Sequence, residues 1–424
     1  MILETKQKFL NGRYNEILAK IYCGNQFVPQ QTQRYIKALE AFADLYQDAE
    51  IEIYSAPGRT EIGGNHTDHQ NGRVLAASIN LDAIAVVSKR SDQIIRITSE
   101  GYGETTVDLS ELEAVESEKG TTKALIRGTA AAFYKRGYRI GGFDGYITSN
   151  VLSGSGLSSS AAYEVLVGNI LSGMYNENKI DKVTLAQIGQ EAENIHFGKP
   201  CGLLDQMASS FGGLVNIDFK NQACPAVKEV DVDFNQFNHS LCIVDTKGSH
   251  ADLTDEYAAV PQEMKKVAAF FGKTYLSEVE KAEFYQHISE IRGAAGDRAV
   301  LRAMHWYAEN ERVDGQVAAL EKQDFDAFKR LIKESGNSSF QYLQNVYATK
   351  CVEKQSVSVA LALSDEVLRS SGVSRVHGGG FAGTIQAFVP NELVQEYKDR
   401  MEQVFGEGAC YVLSVRPVGG IKIV

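Results

Sequence analysis

Proline is scarce in this chain, seven residues in 424, and no repeat period, low-complexity tract or Pro/Ser-rich linker interrupts it. Set against 38 glycines, 44% hydrophobic and 23% charged residues, that scarcity excludes a disordered or collagen-like chain. Cysteine is sparse as well. Cys23, Cys201, Cys224, Cys242, Cys351 and Cys410 fall without a CxxC or other metal-type spacing, which predicts free thiols in a reducing cytoplasm. No apolar stretch approaches the ~18 residues of a membrane-spanning helix. The opening segment MILETKQKFLNGRYNE lacks the apolar run of a secretory leader, so the expectation is a soluble, untargeted protein. Positive charge is in deficit too: 43 Lys and Arg against 54 Asp and Glu leave a net charge of −11. Basic clusters such as Lys265-Lys266 are short and separated by acids, which argues against a nucleic-acid partner.

What is present implies two or three domains, at roughly 100–200 residues each. Residues 1–50 read as a helical lead-in, with Tyr35, Ile36, Leu39, Phe42 and Tyr46 on one face. A strand-rich region follows. Ile51 and Ile53 alternate with acids up to a turn at Pro57-Gly58, residues 81–87 are short and β-compatible, and Phe143–Ser149 ends before a Gly/Ser-rich loop. Residues 161–171 and 184–197 have helical periodicity, and 214–219 and 241–245 read as strands. From about 255 to 371 the pattern is mostly helical, and 384–389, 392–405 and 410–415 read strand, helix, strand. The alternation predicts an α+β chain with a lead-in at 1–50, one lobe at 51–215 and a second at 216–424.

Three polar, glycine-rich segments carry chemistry. Residues 151–162, VLSGSGLSSSAA, lie between a strand and a helix. Their glycines let backbone N–H groups approach an anion, their hydroxyls suit phosphate or a hard cation, and the helix sets its positive end there. A flexible turn with a Ser cap has the same composition. The loop is neither Walker A nor GxGxxG, and Gly272-Lys273-Thr274 is a decoy because Val267 stands where Walker A requires glycine. Residues 55–72, SAPGRTEIGGNHTDHQNG, offer donors or acceptors at almost every position, as a polyhydroxylated ligand requires or as water satisfies on a surface loop. His66 and His69 lack a third metal ligand at a typical spacing. Residues 374–384, SRVHGGGFAGT, are a glycine cluster that alone implies close backbone packing.

In this order the segments resemble the three motifs of the GHMP small-molecule kinases, and the first resembles the galactokinase signature GRxNxIGEHTDY. The matching stretches are Gly58 to His69, Gly154 to Ala162 and Gly378 to Gly383. Between them PCGLLDQ, ending at Asp205-Gln206, resembles the galactokinase segment PCGIMDQ, and residues 245–250 with Asp255-Glu256-Tyr257 resemble a later sugar-site segment. The resemblance implies a two-lobed GHMP-kinase-like fold, with mixed sheets, packed helices and an active site between the lobes. It implies ATP-dependent phosphorylation of galactose, or a close galactose-configured sugar, at the C1 hydroxyl. By position, Asp205 would accept the C1 hydroxyl proton or orient that hydroxyl, and Arg59 would stabilise charge. Asn65, His66, Asp68, Gly202 and Tyr257 would contact the sugar. Gly154, Ser155, Gly156, Leu157, Ser158, Ser159 and Ser160 would cradle the nucleotide phosphates, and Ser160 and Glu193 would hold Mg²⁺. One acid, one guanidinium, a backbone cradle and Mg²⁺ suffice for phosphoryl transfer.

Glu61 replaces the family Asn, Asn65 the family Glu, His69 the family Tyr, and Ala382 a usual Gly. The loss of a carboxylate at Asn65, associated in the family with the sugar's 6-hydroxyl, leaves open a sugar altered at C6 or C2, such as galacturonate or N-acetylgalactosamine, or a pentose such as arabinose. The lead-in exceeds the usual bacterial length. A non-catalytic galactose- and ATP-binding sensor is the rival from another class. The intact Ser158-Ser159-Ser160-Ala161-Ala162 with Asp205 and Arg59 favours an enzyme, and His66-Thr67-Asp68 favours a sugar over mevalonate or homoserine. The expected partners are the sugar and ATP, with no nucleic acid or membrane, and the expected form is a cytoplasmic monomer or weak dimer.

Overall fold

The computed structural model describes residues 2–46, 49–151, 156–248 and 253–424. Two compact units emerge: Met1–Arg59 with Ala77–Gly213 and Ser414–Val424, and Thr60–Ala76 with Leu214–Leu413.

The first unit opens with helices α1 (Ile2–Leu10), α2 (Asn15–Ile21) and α3 (Val28–Tyr46). Of the apolar face read from the sequence, Tyr35, Ile36, Leu39 and Phe42 of α3 are buried, and with Phe9 of α1 and Leu18 of α2 they pack with Ile53, Ile84 and Val86 of the strands. The lead-in is therefore part of this unit's core. A polar pin joins it. Asp82, wholly buried, accepts Arg34 Nη1 at 2.6 Å, Tyr22 Oη at 2.8 Å, Ser55 Oγ at 2.5 Å and Arg416 Nη1 at 3.1 Å. Burial would raise the Asp82 carboxyl, yet Arg34 and Arg416 hold it below its usual range.

The strands are β1 (Glu52–Gly63), β2 (Arg73–Lys89), β3 (Ile94–Ser99), β4 (Glu104–Asp108) and β5 (Phe143–Ser149). The C-terminal strand Ile421–Lys422 pairs with β1, and the order continues β2, β5, β3, β4, with β3 and β5 parallel. β1 runs through Pro57-Gly58, where the sequence predicts a turn. Gly58 serves close approach instead, since a Cβ there would meet the Leu157 carbonyl oxygen at 2.8 Å. Helices α4 (Thr122–Lys135), α5 (Ser159–Asn176), α6 (Lys182–Glu191) and α7 (Leu204–Phe211) complete the unit. Val165, Leu166, Ile170 and Leu171 of α5 are buried with Phe133, Leu185 and Ile188.

In the second unit β6 (Leu214–Asp218) and β7 (Ala226–Val230) form an antiparallel pair, and β6 also pairs with β2. A separate antiparallel sheet has the order β11 (Cys410–Leu413), β8 (His239–Asp245), β10 (Thr384–Pro390), β9 (Val373–His377). Around it lie α8 (Thr254–Phe270), α9 (Lys281–Gln286), α10 (Ile288–Ala295), α11 (Asp297–Glu321), α12 (Phe325–Ser338), α13 (Ser356–Leu368) and α14 (Val394–Phe405). One core gathers Met264, Phe284, Trp306 and Tyr307, another Val244, Val376, Ile385 and Tyr397. β1 and β2 each carry the chain from one unit to the other, so residues 60–76 fall in the second unit, and residues 414–424 return to the first. Among the described residues, no helix is long and apolar enough to cross a membrane.

Candidate active site

Two polar clusters hold the residues singled out in the sequence. The first, in the first unit, centres on Asp205 in the opening turn of α7. Arg59 on β1 meets its carboxylate as a fork, Nε to Oδ1 and Nη2 to Oδ2, both at 2.6 Å. Such paired charge-assisted bonds fix both groups in one plane. The third guanidinium nitrogen, Nη1, donates to the Gly156 carbonyl at 2.6 Å, and the Arg59 N–H donates to Leu157 O at 3.1 Å. The serine-rich loop is thereby tied to the acid. Ser158 precedes α5 with φ 57°, left-handed backbone that non-glycine residues seldom adopt. Its hydroxyl forms no cap bond to the helix and donates to Asp205 Oδ2 at 2.7 Å. Consequently α5 starts without a side-chain cap, and its first-turn N–H groups are left for another acceptor. Burial would raise the Asp205 carboxyl, but Arg59 and Ser158 hold it below its ordinary value.

Beside this pair lies a second set of carboxylates. Helix α6 passes into a π-helical turn, Ala192–Phe197, and Glu193 in that turn is only 2% exposed, not on a solvated acidic face. Glu191 does face outward, paired with Lys135 and Arg136. Ser160 Oγ donates to Glu193 Oε1 at 3.1 Å, and Lys199 Nζ stands 3.5 Å from the same oxygen. Gln206 Nε2 donates to Glu193 Oε2 at 3.0 Å and to Glu164 Oε2 at 2.9 Å. Burial and the Glu193 charge push the Glu164 carboxyl well above its usual range. Burial and Glu193 also push the Cys201 thiol up, so it stays protonated. Gly202 lies, partly exposed, in the segment leading into α7.

The second cluster, in the second unit, is the loop after β1. One face of α11 holds it, because positions i, i+1, i+4 and i+5 lie together on a helix. His305 Nε2 reaches Asn65 O at 2.9 Å, Trp306 Nε1 donates to Thr67 O at 3.1 Å, and Asn310 Oδ1 accepts the Arg73 N–H at 2.6 Å. Glu309, wholly buried, accepts the N–H groups of Gly64 and Asn65 and, at 2.6 Å, the Ser335 hydroxyl. Burial would raise its carboxyl, but Arg312, His305 and Arg375 lower it to about 2.

The glycine-rich third segment meets this loop with carbonyl oxygens. Gly378 O accepts Asn65 Nδ2 at 2.7 Å, Gly379 O accepts His66 Nε2 at 3.0 Å, and Gly380 O accepts the Tyr257 hydroxyl at 2.7 Å. Gly380 has φ 79°, and a Cβ there would lie 2.0 Å from Asn345 O. Tyr257 also packs edge-on against Phe381, centroids 5.2 Å apart. His66 is nearly buried, and burial with the neighbouring His69 lowers it to about 3, so the ring is neutral at ordinary pH. With its proton on Nε2 for the carbonyl, the buried Nδ1 is an acceptor with no partner among the described residues. Asp68 begins a 3₁₀ turn and accepts the His69 N–H at 2.9 Å.

Asn65 differs. Its Nδ2 donates to Glu61 and Gly378, and its Oδ1 accepts from Asn345 at 2.8 Å and Ser339 at 3.2 Å, which fills the amide's capacity. Glu61 in turn accepts Arg375 Nη2 at 2.7 Å. Asn65 is thus a buried brace, with no donor or acceptor left for a sugar hydroxyl.

Residues 40–89 match the galactokinase galactose-binding signature, and residues 124–213 match the N-terminal domain of GHMP kinases. Over 386 residues the chain is 30% identical to the galactokinase of Streptomyces coelicolor, spanning 90% of this chain and 97% of that one. The chain belongs to the galactokinase family. The galactokinase of Actinobacillus pleuropneumoniae is 29% identical over 85% of this chain and 91% of its own. In three dimensions the chain resembles Lactococcus lactis galactokinase complexed with galactose, at TM-score 0.79 and 25% identity, over 91% of this chain and 99% of that one. A mevalonate kinase shares the fold at TM-score 0.59 and 15% identity, over 85% of this chain and 99% of its own.

Family membership raises the question of a nucleotide and its metal. The uncapped start of α5 fits an anion, and the Ser160 hydroxyl with the Glu193 carboxylate are the hard oxygen donors that Mg²⁺ takes alongside phosphate and water. Among the described residues no group of three or more His, Cys, Asp or Glu is placed for a metal. Gly154 and Ser155 of the serine-rich loop, and Ser249 and His250 of the later segment, lie outside the described residues. Sequence reading missed His305, Trp306, Glu309 and Asn310, and also Glu164 and Gln206. A signal existed in HWYAEN, where His305, Trp306, Glu309 and Asn310 share one face of a helical run.

Proposed function

We propose that this chain transfers the terminal phosphoryl group of ATP to the C1 hydroxyl of galactose, giving galactose 1-phosphate and ADP. The observation that carries the reading is the forked Arg59–Asp205 pair beside the uncapped start of α5. Phosphoryl transfer demands alignment and charge stabilisation more than covalent help. With its pKa lowered, Asp205 is anionic at any working pH and a weak base, so its task is to accept the C1 hydroxyl hydrogen bond and aim that oxygen. Arg59 keeps the acid ionised and sets positive charge beside it. Gly154 to Ser160 would receive the phosphates. Ser160 and Glu193 would hold Mg²⁺, which when bound neutralises phosphate charge.

His66 Nδ1, Asp68, Gly202 and Tyr257 are the proposed sugar contacts. A neutral imidazole with an unfilled buried acceptor suits a sugar hydroxyl. The cysteine spacing, without any paired framework, supports a cytoplasmic setting. ADP release measured with galactose, N-acetylgalactosamine, galacturonate, arabinose and glucose tests the reading. Galactose should give the highest kcat/KM; folded protein that binds ATP yet turns over no galactose-configured sugar would refute it and favour a sensor.

A further inference from the structure

Gln206 follows Asp205 on α7 and is wholly buried. Its amide nitrogen spans two carboxylates, Glu164 Oε2 at 2.9 Å and Glu193 Oε2 at 3.0 Å. Glu193 is thereby gripped at both oxygens, Oε1 by the Ser160 hydroxyl and Oε2 by Gln206. Glu164 stands one helical turn beyond Ser160 on α5, so a single helix supplies one grip directly and anchors the other. Two buried oxygens, Glu164 Oε1 and Gln206 Oε1, have no hydrogen-bond partner among the described residues. A carboxylate buried at Glu193 beside a second buried acid, with the largely exposed Lys199 as its neighbouring cation, is costly in a core whose only task is packing. A divalent cation at Glu193 would offset that cost.

We infer that Gln206 is a positioning residue for the metal, holding the Glu193 carboxylate in its ligating orientation with Glu164 as its anchor. The inference rests on the proposal that Ser160 and Glu193 hold Mg²⁺. Groups that orient a metal ligand commonly change metal affinity by about 10–100-fold when removed.

The test uses the full chain and Mn²⁺ as a spectroscopic stand-in. Free Mn²⁺ is titrated by electron paramagnetic resonance with ADP present, for wild type, Gln206→Met, Glu164→Met and Glu193→Gln. ADP affinity without metal and KM for galactose are measured in parallel. Gln206→Met should weaken Mn²⁺ by about 10–100-fold, and Glu164→Met should weaken it severalfold, with metal-free ADP affinity and galactose KM unchanged. Unchanged Mn²⁺ affinity in Gln206→Met, with loss in Glu193→Gln, would overturn the inference and leave the metal reading intact. Unchanged affinity in Glu193→Gln would instead overturn the metal reading. A parallel fall in metal-free ADP affinity would make Gln206 merely structural. Should Gln206→Met not fold, Glu164→Met decides by the same criteria.

Discussion

Asp205 and Asn65 show how far residue identity alone can be trusted. Asp205 is picked out in the sequence because its neighbours in the chain resemble a known segment, and the structure sets Arg59 and Ser158 against it. Asp205→Asn keeps the shape but removes the charge that Arg59 grips. We expect kcat to fall by on the order of 10²–10⁴ in steady-state assays, with ATP affinity retained. Asn65 reads from sequence as a sensor of C6, yet its amide is consumed by Glu61, Gly378, Ser339 and Asn345. The sequence already sets Glu61 and Asn65 four residues apart in place of the family's amide and acid; their contact, and its bracing by Ser339 and Asn345, come from the structure. Asn65→Glu should therefore set two carboxylates together and lower the melting temperature, at a cost of about 1–3 kcal/mol. The double exchange Glu61→Asn with Asn65→Glu should recover much of it. Additive losses in that double-mutant cycle would contradict the brace.

At the scale of elements, periodicity located the long helices, and α11 illustrates what it left hidden. Its apolar residues announce a helix, whereas the work of His305, Trp306, Glu309 and Asn310 depends on a loop more than 200 residues away in the chain. β1 was cut short for the opposite reason: Pro-Gly is a turn signal locally, and only the approach of Leu157 shows why the strand continues. Glu309 makes the helix's role measurable. Its carboxyl, lowered to about 2, stabilises the fold above its unfolded pKa near 4.5, and that contribution is lost as pH falls from there toward 2. At neutral pH it amounts to about 3 kcal/mol, at about 1.4 kcal/mol per pH unit. Urea denaturation should find Glu309→Gln less stable at pH 7, with the gap to wild type closing below pH 4. A gap independent of pH would mean that the charge is not what holds the loop.

For the whole molecule, the sequence pattern changes near residues 205–220, and nothing in it marks the exchange of residues 60–76 and 414–424 between the two units. Such exchanges follow from long-range strand pairing, which leaves no local mark. The lead-in is similar: its helices were readable, and their anchoring at Asp82 was not. Arg34→Met would leave that buried carboxylate with Arg416 as its remaining cation, and breaking a buried pair costs about 3–5 kcal/mol. A much smaller loss in urea denaturation would show the lead-in to be dispensable. The reaction is phosphoryl transfer from ATP to galactose. Phosphorus NMR of a mixture of the protein, galactose and Mg·ATP should show ADP and one new phosphate ester, coupled to the anomeric C1 proton, and Asp205→Asn should nearly abolish it. Phosphate on any other carbon, or ADP appearing at the same rate without sugar, would contradict it.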